Sequence, residues 1–137
     1  MDVYVQAQIV NLMQDLQQNL GLTYLFIAHG LHVVRHISNR IGMMYLGQFV
    51  KIAGSEELFN HPAHHYTKAL IASIPWPDPS RKRELQVISG EIPSPAKPPS
   101  GCRFHTRCPA ATALCRSEPP ELKEIEYEHW VACHYPA

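Results

Sequence analysis

Apolar residues recur at helical spacing through Val5, Ile9, Leu12, Met13, Leu16 and Leu20, with Gln6, Asn11, Gln14, Gln17 and Gln18 on the other faces. That pattern predicts an amphipathic helix over roughly 3–20, stopped by Gly21. The period then changes. Thr23-Tyr-Leu-Phe-Ile-Ala-His29 is a short apolar run bounded by Gly21-Leu22 and Gly30, which predicts a buried strand of a parallel sheet. Leu31, Val34, Ile37 and Ile41 resume helical spacing, so a short helix is expected over 31–38. Two β-rich runs, 42–46 and 49–53, joined around Gly47-Gln48, predict a hairpin. Ser55 is placed to cap a helix over 56–60, with Glu56 and Glu57 in its first turn. A last helix is predicted over 65–74, ended by Pro75.

A helix–strand–helix order implies a parallel sheet, because a strand this apolar must be covered on both faces. One parallel strand and one hairpin do not complete such a sheet. The chain therefore reads as the later part of an α/β domain whose first strands are missing. Ten of the 12 prolines fall between Pro75 and Pro120, and all four cysteines follow Pro99. This shift divides the chain into an α/β piece at 1–74, a proline-rich connection at 75–101 and a cysteine-rich module at 102–137, expected to be small and irregular.

Charge removes several function classes. Lys and Arg total 12, as do Asp and Glu, so no basic footprint for nucleic acid or anionic lipid is expected. Arg81-Lys-Arg83 reads as a solvated face, since Glu84 follows it. The apolar runs are too short to cross a bilayer, and Met1 opens no secretory signal, so membrane contact is expected only through a partner.

Candidate chemistry sits at two places. His29 lies at the carboxyl end of the predicted strand, where open α/β sheets place their ligands; the plain alternative is a histidine that only caps a strand. No G-x-x-x-x-G-K-[ST] phosphate loop occurs anywhere in the sequence. Cys102, Cys108, Cys115 and Cys133 are separated by five, six and seventeen residues, which meets none of the common zinc-ribbon spacings. A reducing compartment does not favour two structural disulfides. Four thiols in a short, Pro-rich tail call for another staple, and a Cys₄ set suits either Zn²⁺ or an iron–sulfur cluster. Four reduced thiols in a small core are the other reading. The histidines, His61-Pro-Ala-His-His65 included, show no shared metal spacing, and His105 and His134, flanking cysteines, are candidate supporting donors.

Several of these segments together resemble the C-terminal part of the ATP-binding subunits of dipeptide and oligopeptide (or nickel) ABC importers. Asp2-Val-x-Val-Gln-Ala-Gln-Ile is similar to the segment after that family's D-loop, and Leu22-Thr-Tyr-Leu-Phe-Ile-Ala-His29 to its switch-histidine strand. Val33-Val-Arg-His-Ile-Ser38 resembles the helix that follows, and Met44-Tyr-Leu-Gly-Gln-Phe-Val-Lys51 the hairpin. Glu57-Leu-Phe-Asn-His-Pro62, His65-Tyr-Thr-Lys-Ala-Leu70, Pro93-Ser-Pro95 and Pro99-Ser-Gly-Cys-Arg-Phe-His-Thr-Arg-Cys-Pro109 resemble stretches special to the peptide-importer branch. The fold implied is an incomplete P-loop NTPase (ABC ATPase) domain lacking its phosphate-loop part.

The resemblance implies coupling of ATP binding and hydrolysis to peptide uptake in the intact subunit. ATP and Mg²⁺ would be cofactors there, with a second ATPase subunit and membrane permeases as partners at the cytoplasmic face of the membrane. It implies that His29 reaches the γ-phosphate and that Asp2 lies at the nucleotide and dimer contact, where a helix N-cap is an equal alternative. It further implies a [4Fe–4S] cluster on Cys102, Cys108, Cys115 and Cys133, with Zn²⁺ as the alternative. Gly30 departs from the family's usual Asp after the switch histidine. Without a phosphate loop, no independent ATPase activity is expected. The other readings are a non-enzymatic metal-binding docking module and a non-functional truncated remnant.

Overall fold

A computed structural model describes residues 3–74 and 88–137. The chain forms two compact units, Met1–Asn39 and Arg40–Ala137.

The first unit holds helix α1 (Val3–Leu20) and helix α2 (Leu31–Ile37). Gly21 ends α1 as the spacing predicts: its φ of +62° suits a left-handed helix terminus, and Leu22 N–H donates to the Gln17 carbonyl at 3.2 Å. Val10 and Val33 are buried, and the Gln14 amide donates to the His36 carbonyl at 3.3 Å. The predicted strand 23–29 is a correction. Residues 22–28 carry no regular structure, Leu25 is 92% exposed and Ile27 88%. A strand exists only if its N–H and C=O groups find a ladder, and the described residues of this unit contain no neighbouring strand. On α1, Val5, Ile9, Leu12, Leu16 and Leu20 are likewise exposed.

The second unit is a mixed α/β arrangement around one antiparallel sheet. Strand β1 (Arg40–Tyr45) and strand β2 (Gln48–Gly54) form the predicted hairpin, closed by Leu46 and Gly47 at φ of 46° and 82°. Two consecutive positive φ values give the backbone twist that a two-residue hairpin loop requires. In β1, Ile41, Met43 and Tyr45 point inward in strict alternation, and a bulge beyond Met43 re-registers the pairing to Met44↔Phe49. Helix α3 (Ser55–Asn60) follows; its N-cap is Gly54, and Ser55 is already its first residue. Helix α4 (His65–Ala72) comes next.

Beyond the proline-rich connection come a 3₁₀ turn (His105–Arg107), helix α5 (Ala113–Ser117), strand β3 (Lys123–Glu126) and strand β4 (His129–Val131). Residues 102–137 are thus not irregular throughout. The strand order is β1-β2-β4-β3, and β4 pairs with β2 through Lys51↔Val131 and Ile52↔Trp130. The sheet is antiparallel at every pairing, not the parallel sheet the apolar run implied.

The core of this unit is aromatic. Phe104 is 1% exposed and packs edge-on against Tyr45, with ring centroids 5.2 Å apart at 84°. Tyr66 lies 4.9 Å from Tyr45 and 5.4 Å from Phe104, and the His64 ring 5.8 Å from Phe104. Arg103 donates to the carbonyl of Leu46, fastening the Phe104 loop to the hairpin turn.

Candidate functional site

All four cysteines line one cavity, together with Phe104 and His65. Each arrives on a different local structure. Cys102 follows Gly101, whose φ is +67° and whose Cα lies so close to the next segment that a Cβ there would sit 2.4 Å from the Cys115 carbonyl oxygen. That closeness lets Cys102 N–H donate to the Cys115 carbonyl at 2.8 Å, bringing two of the four cysteines together. Cys108 leaves the 3₁₀ turn, and Cys115 is buried in α5 with its sulfur 3.6 Å from the Thr112 hydroxyl. Cys133 stands two residues past β4, so the sheet delivers the fourth thiol to the other three. All four are free of disulfides.

Burial pushes the Cys133 thiol up to about 11, and raises Cys102 and Cys108, because the thiolate loses its hydration. Neighbouring cysteines add to the rise at all three, an electrostatic sign that the sulfurs share one site. Such thiols are protonated at neutral pH unless a cation displaces the protons. Among the described residues, no cysteine sulfur belongs to a group of three ligand atoms within 4.8 Å of one another. A single tetrahedral zinc with Zn–S of about 2.3 Å holds its sulfurs about 3.8 Å apart. A cubane cluster gives each thiolate its own iron and keeps the sulfurs further apart.

His105 and His134 are not aimed at sulfur. His105 Nδ1 donates to the Cys102 carbonyl at 2.8 Å, and His134 Nε2 to the Glu118 carbonyl at 2.9 Å. Both brace the backbone that carries the cysteines. His64 Nδ1 accepts from the Tyr66 N–H at 3.1 Å and caps α4, a role no cap-residue pattern announces. In the loop His61 to His65, His61 binds Glu57 and His65 faces the Tyr135 carbonyl, each a structural contact.

His29 is exposed, in the loop between α1 and α2, and belongs to the first unit. Asp2 and Arg81-Lys-Arg83 lie outside the described residues. No helix among the described residues is long and apolar enough to cross a membrane.

Residues 50–115 match the family model described as oligopeptide/dipeptide transporter, C-terminal region. The chain is 54% identical over 136 residues to the oligopeptide transport ATP-binding protein AppF of Bacillus subtilis, covering 98% of this chain and 41% of that protein. It is 56% identical over 136 residues to the putative oligopeptide transport ATP-binding protein YkfD of the same organism, again 98% and 41%. A putative peptide import ATP-binding protein of Brucella ovis is 53% identical over 133 residues, 97% of this chain and 42% of that protein. The chain thus spans about two fifths of the length of the curated relatives it matches. Similarity of this extent to ATP-binding transport proteins gives no support to a separate docking module or a remnant.

Proposed function

From the premise that this chain belongs to the peptide-importer family of ABC ATP-binding proteins, as a C-terminal portion of one, we propose that it serves in coupling ATP binding and hydrolysis to oligopeptide or dipeptide uptake. The observation that carries this reading is identity above half along 98% of the chain to proteins named as oligopeptide transport ATP-binding proteins.

In the proposed arrangement, residues 1–74 are the ATPase-derived portion, 102–137 the importer-specific extension, and 75–101 the connection. The pairing of β4 with β2 then zips the extension onto the hairpin of the ATPase portion. His29 donates a hydrogen bond to the γ-phosphate of ATP and helps place the attacking water, an orienting and electrostatic role. Its exposure in a loop leaves the ring accessible for that contact. Asp2 meets a second ATPase subunit at the D-loop. The phosphates themselves are held by a Gly-rich loop, a Lys and Mg²⁺. This sequence has no such loop, so ATP hydrolysis requires the intact subunit. Permease subunits hold that subunit at the cytoplasmic face of the membrane.

Cys102, Cys108, Cys115 and Cys133 are the proposed ligands of a [4Fe–4S] cluster, with Zn²⁺ the alternative occupant. The cluster would supply a covalent tie among the loops that carry the four cysteines. Replacing His29 with Ala in the full-length subunit, reconstituted with its permeases in liposomes, is expected to abolish ATP-driven uptake of a labelled oligopeptide while ATP binding persists. Uptake at the parental rate would overturn the assignment.

A further inference from the structure

A second polar cluster lies in the Arg40–Ala137 unit, assembled from three elements. Glu57 comes from α3, Glu126 from β3 and His129 from β4. Their ligand atoms all lie within 4.8 Å of one another. His129 is 1% exposed, and neither of its ring nitrogens has a hydrogen-bond partner. A buried imidazole left so is costly, because it has given up water without gaining a partner.

The ring is nevertheless aimed. Nδ1 stands 3.5 Å from Glu57 Oε1 and 3.9 Å from Glu126 Oε2. These separations are long for hydrogen bonds. They are close to the spacing of two ligands on one ion: metal–N and metal–O distances near 2.1 Å put tetrahedral neighbours about 3.4 Å apart. The surroundings support the carboxylate as a ligand. His61 Nδ1 donates to Glu57 Oε1 at 2.8 Å, the kind of outer contact that orients a metal-bound carboxylate. Lys51, wholly buried beside the cluster, directs its ammonium to the His61 carbonyl. Two carboxylates against one ammonium and a neutral imidazole leave a net negative charge for a cation to balance.

We propose that Glu57, Glu126 and His129 bind a divalent transition-metal ion of the zinc class through Oε1, Oε2 and Nδ1, as a clasp that fastens the β3–β4 hairpin to α3. One carboxylate would come from a helix that precedes the proline-rich connection and the other two ligands from strands that follow it. Coordination satisfies Nδ1 and leaves the ring proton on Nε2. The three ligands leave one position open for water, as in zinc sites with three protein donors. This site is separate from the four cysteines and shares no ligand with them.

Cobalt distinguishes the two. The full chain is titrated with Co²⁺ alone, and the visible spectrum and affinity are read together. One Co²⁺ with a nitrogen- and oxygen-type ligand-field spectrum, free of thiolate-to-cobalt charge transfer, is the expected result. Glu126→Gln alters a side chain 69% exposed, so the fold tolerates it, and it is expected to weaken that cobalt about tenfold or more. Glu57→Gln should do the same, whereas Cys133→Ser should leave the signal unchanged. A spectrum showing only thiolate bands, an affinity that Glu126→Gln leaves unmoved, or no binding at all would each overturn the proposal.

Discussion

Acidification should unfold the Arg40–Ala137 unit through His64, and the amount can be worked out. The ring is 1% exposed, and its pKa falls from 6.5 to about 4, chiefly because burial strips the charged form of water, then because His65 and Lys51 repel it. Its Nδ1 is also the acceptor that caps α4, so a proton there removes the cap as well. Between pH 6.5 and about 4 the unfolded chain binds a proton that the folded one refuses, so stability rises with pH across that window. The stability is fully present above pH 6.5 and is lost as pH falls toward 4. At 1.36 kcal/mol per pKa unit the loss comes to about 3 kcal/mol. That is a large share of the 5–15 kcal/mol typical of a domain.

Urea unfolding of the full chain at a series of pH values, with metal content held constant, measures this as a fall in midpoint at constant slope. His64→Asn keeps an acceptor for the Tyr66 N–H but cannot titrate. The variant should be about 1–2 kcal/mol less stable at neutral pH, from lost packing against Phe104, and the two curves should cross on the way to pH 4. Subtracting them removes every titration common to both chains. Curves that stay parallel would refute the reasoning, because the protonation cost would then belong to other groups.

Anaerobically purified chain is expected to carry about four irons and equal labile sulfide, with broad absorbance near ~400 nm; one zinc per chain in elemental analysis would replace the cluster by a mononuclear site. Gly101→Ala should cost about 3 kcal/mol or more in urea unfolding, since it strains a φ of +67° and drives a Cβ into the Cys115 carbonyl. The same variant should lose most of its iron, and full iron retention would show that the Cys102–Cys115 approach is not required.

The hairpin was legible from two β-rich runs on either side of Gly47, although the turn falls at Leu46-Gly47 and Ile41, read with the preceding helix, belongs to the inward face of β1. The helix over 3–20 was legible from spacing alone, although its apolar stripe stays uncovered here. Residues 23–29 were misread for an instructive reason. An apolar run states what a segment requires, a neighbour on either side, and the described first unit does not provide it. Strands β3 and β4 left no readable signal, because Lys123-Glu-Ile-Glu126 is exposed at every position and β4 is only three residues long. Four cysteines at gaps of five, six and seventeen suggested a shared ligand, but their convergence depends on β4 carrying Cys133 back to the turn at Cys102. The Glu57, Glu126 and His129 group was invisible for the same reason: its first two members are 69 positions apart, and only the antiparallel return of β4 on β2 joins them.

That return also sets an order of events during synthesis. β4 closes on β2 across nearly eighty intervening residues, and Ala132 N–H then donates to the Val50 carbonyl at 2.9 Å. The hairpin and α3 consist of local contacts and can form while the chain is still emerging. The edge of β2 that β4 will occupy cannot be satisfied until residues 129–132 have been made. Loop closure of this length precedes any gain from the contacts it brings, so folding of the unit is expected to be slow. During that interval the open edge of β2 is available to pair with a strand of another chain.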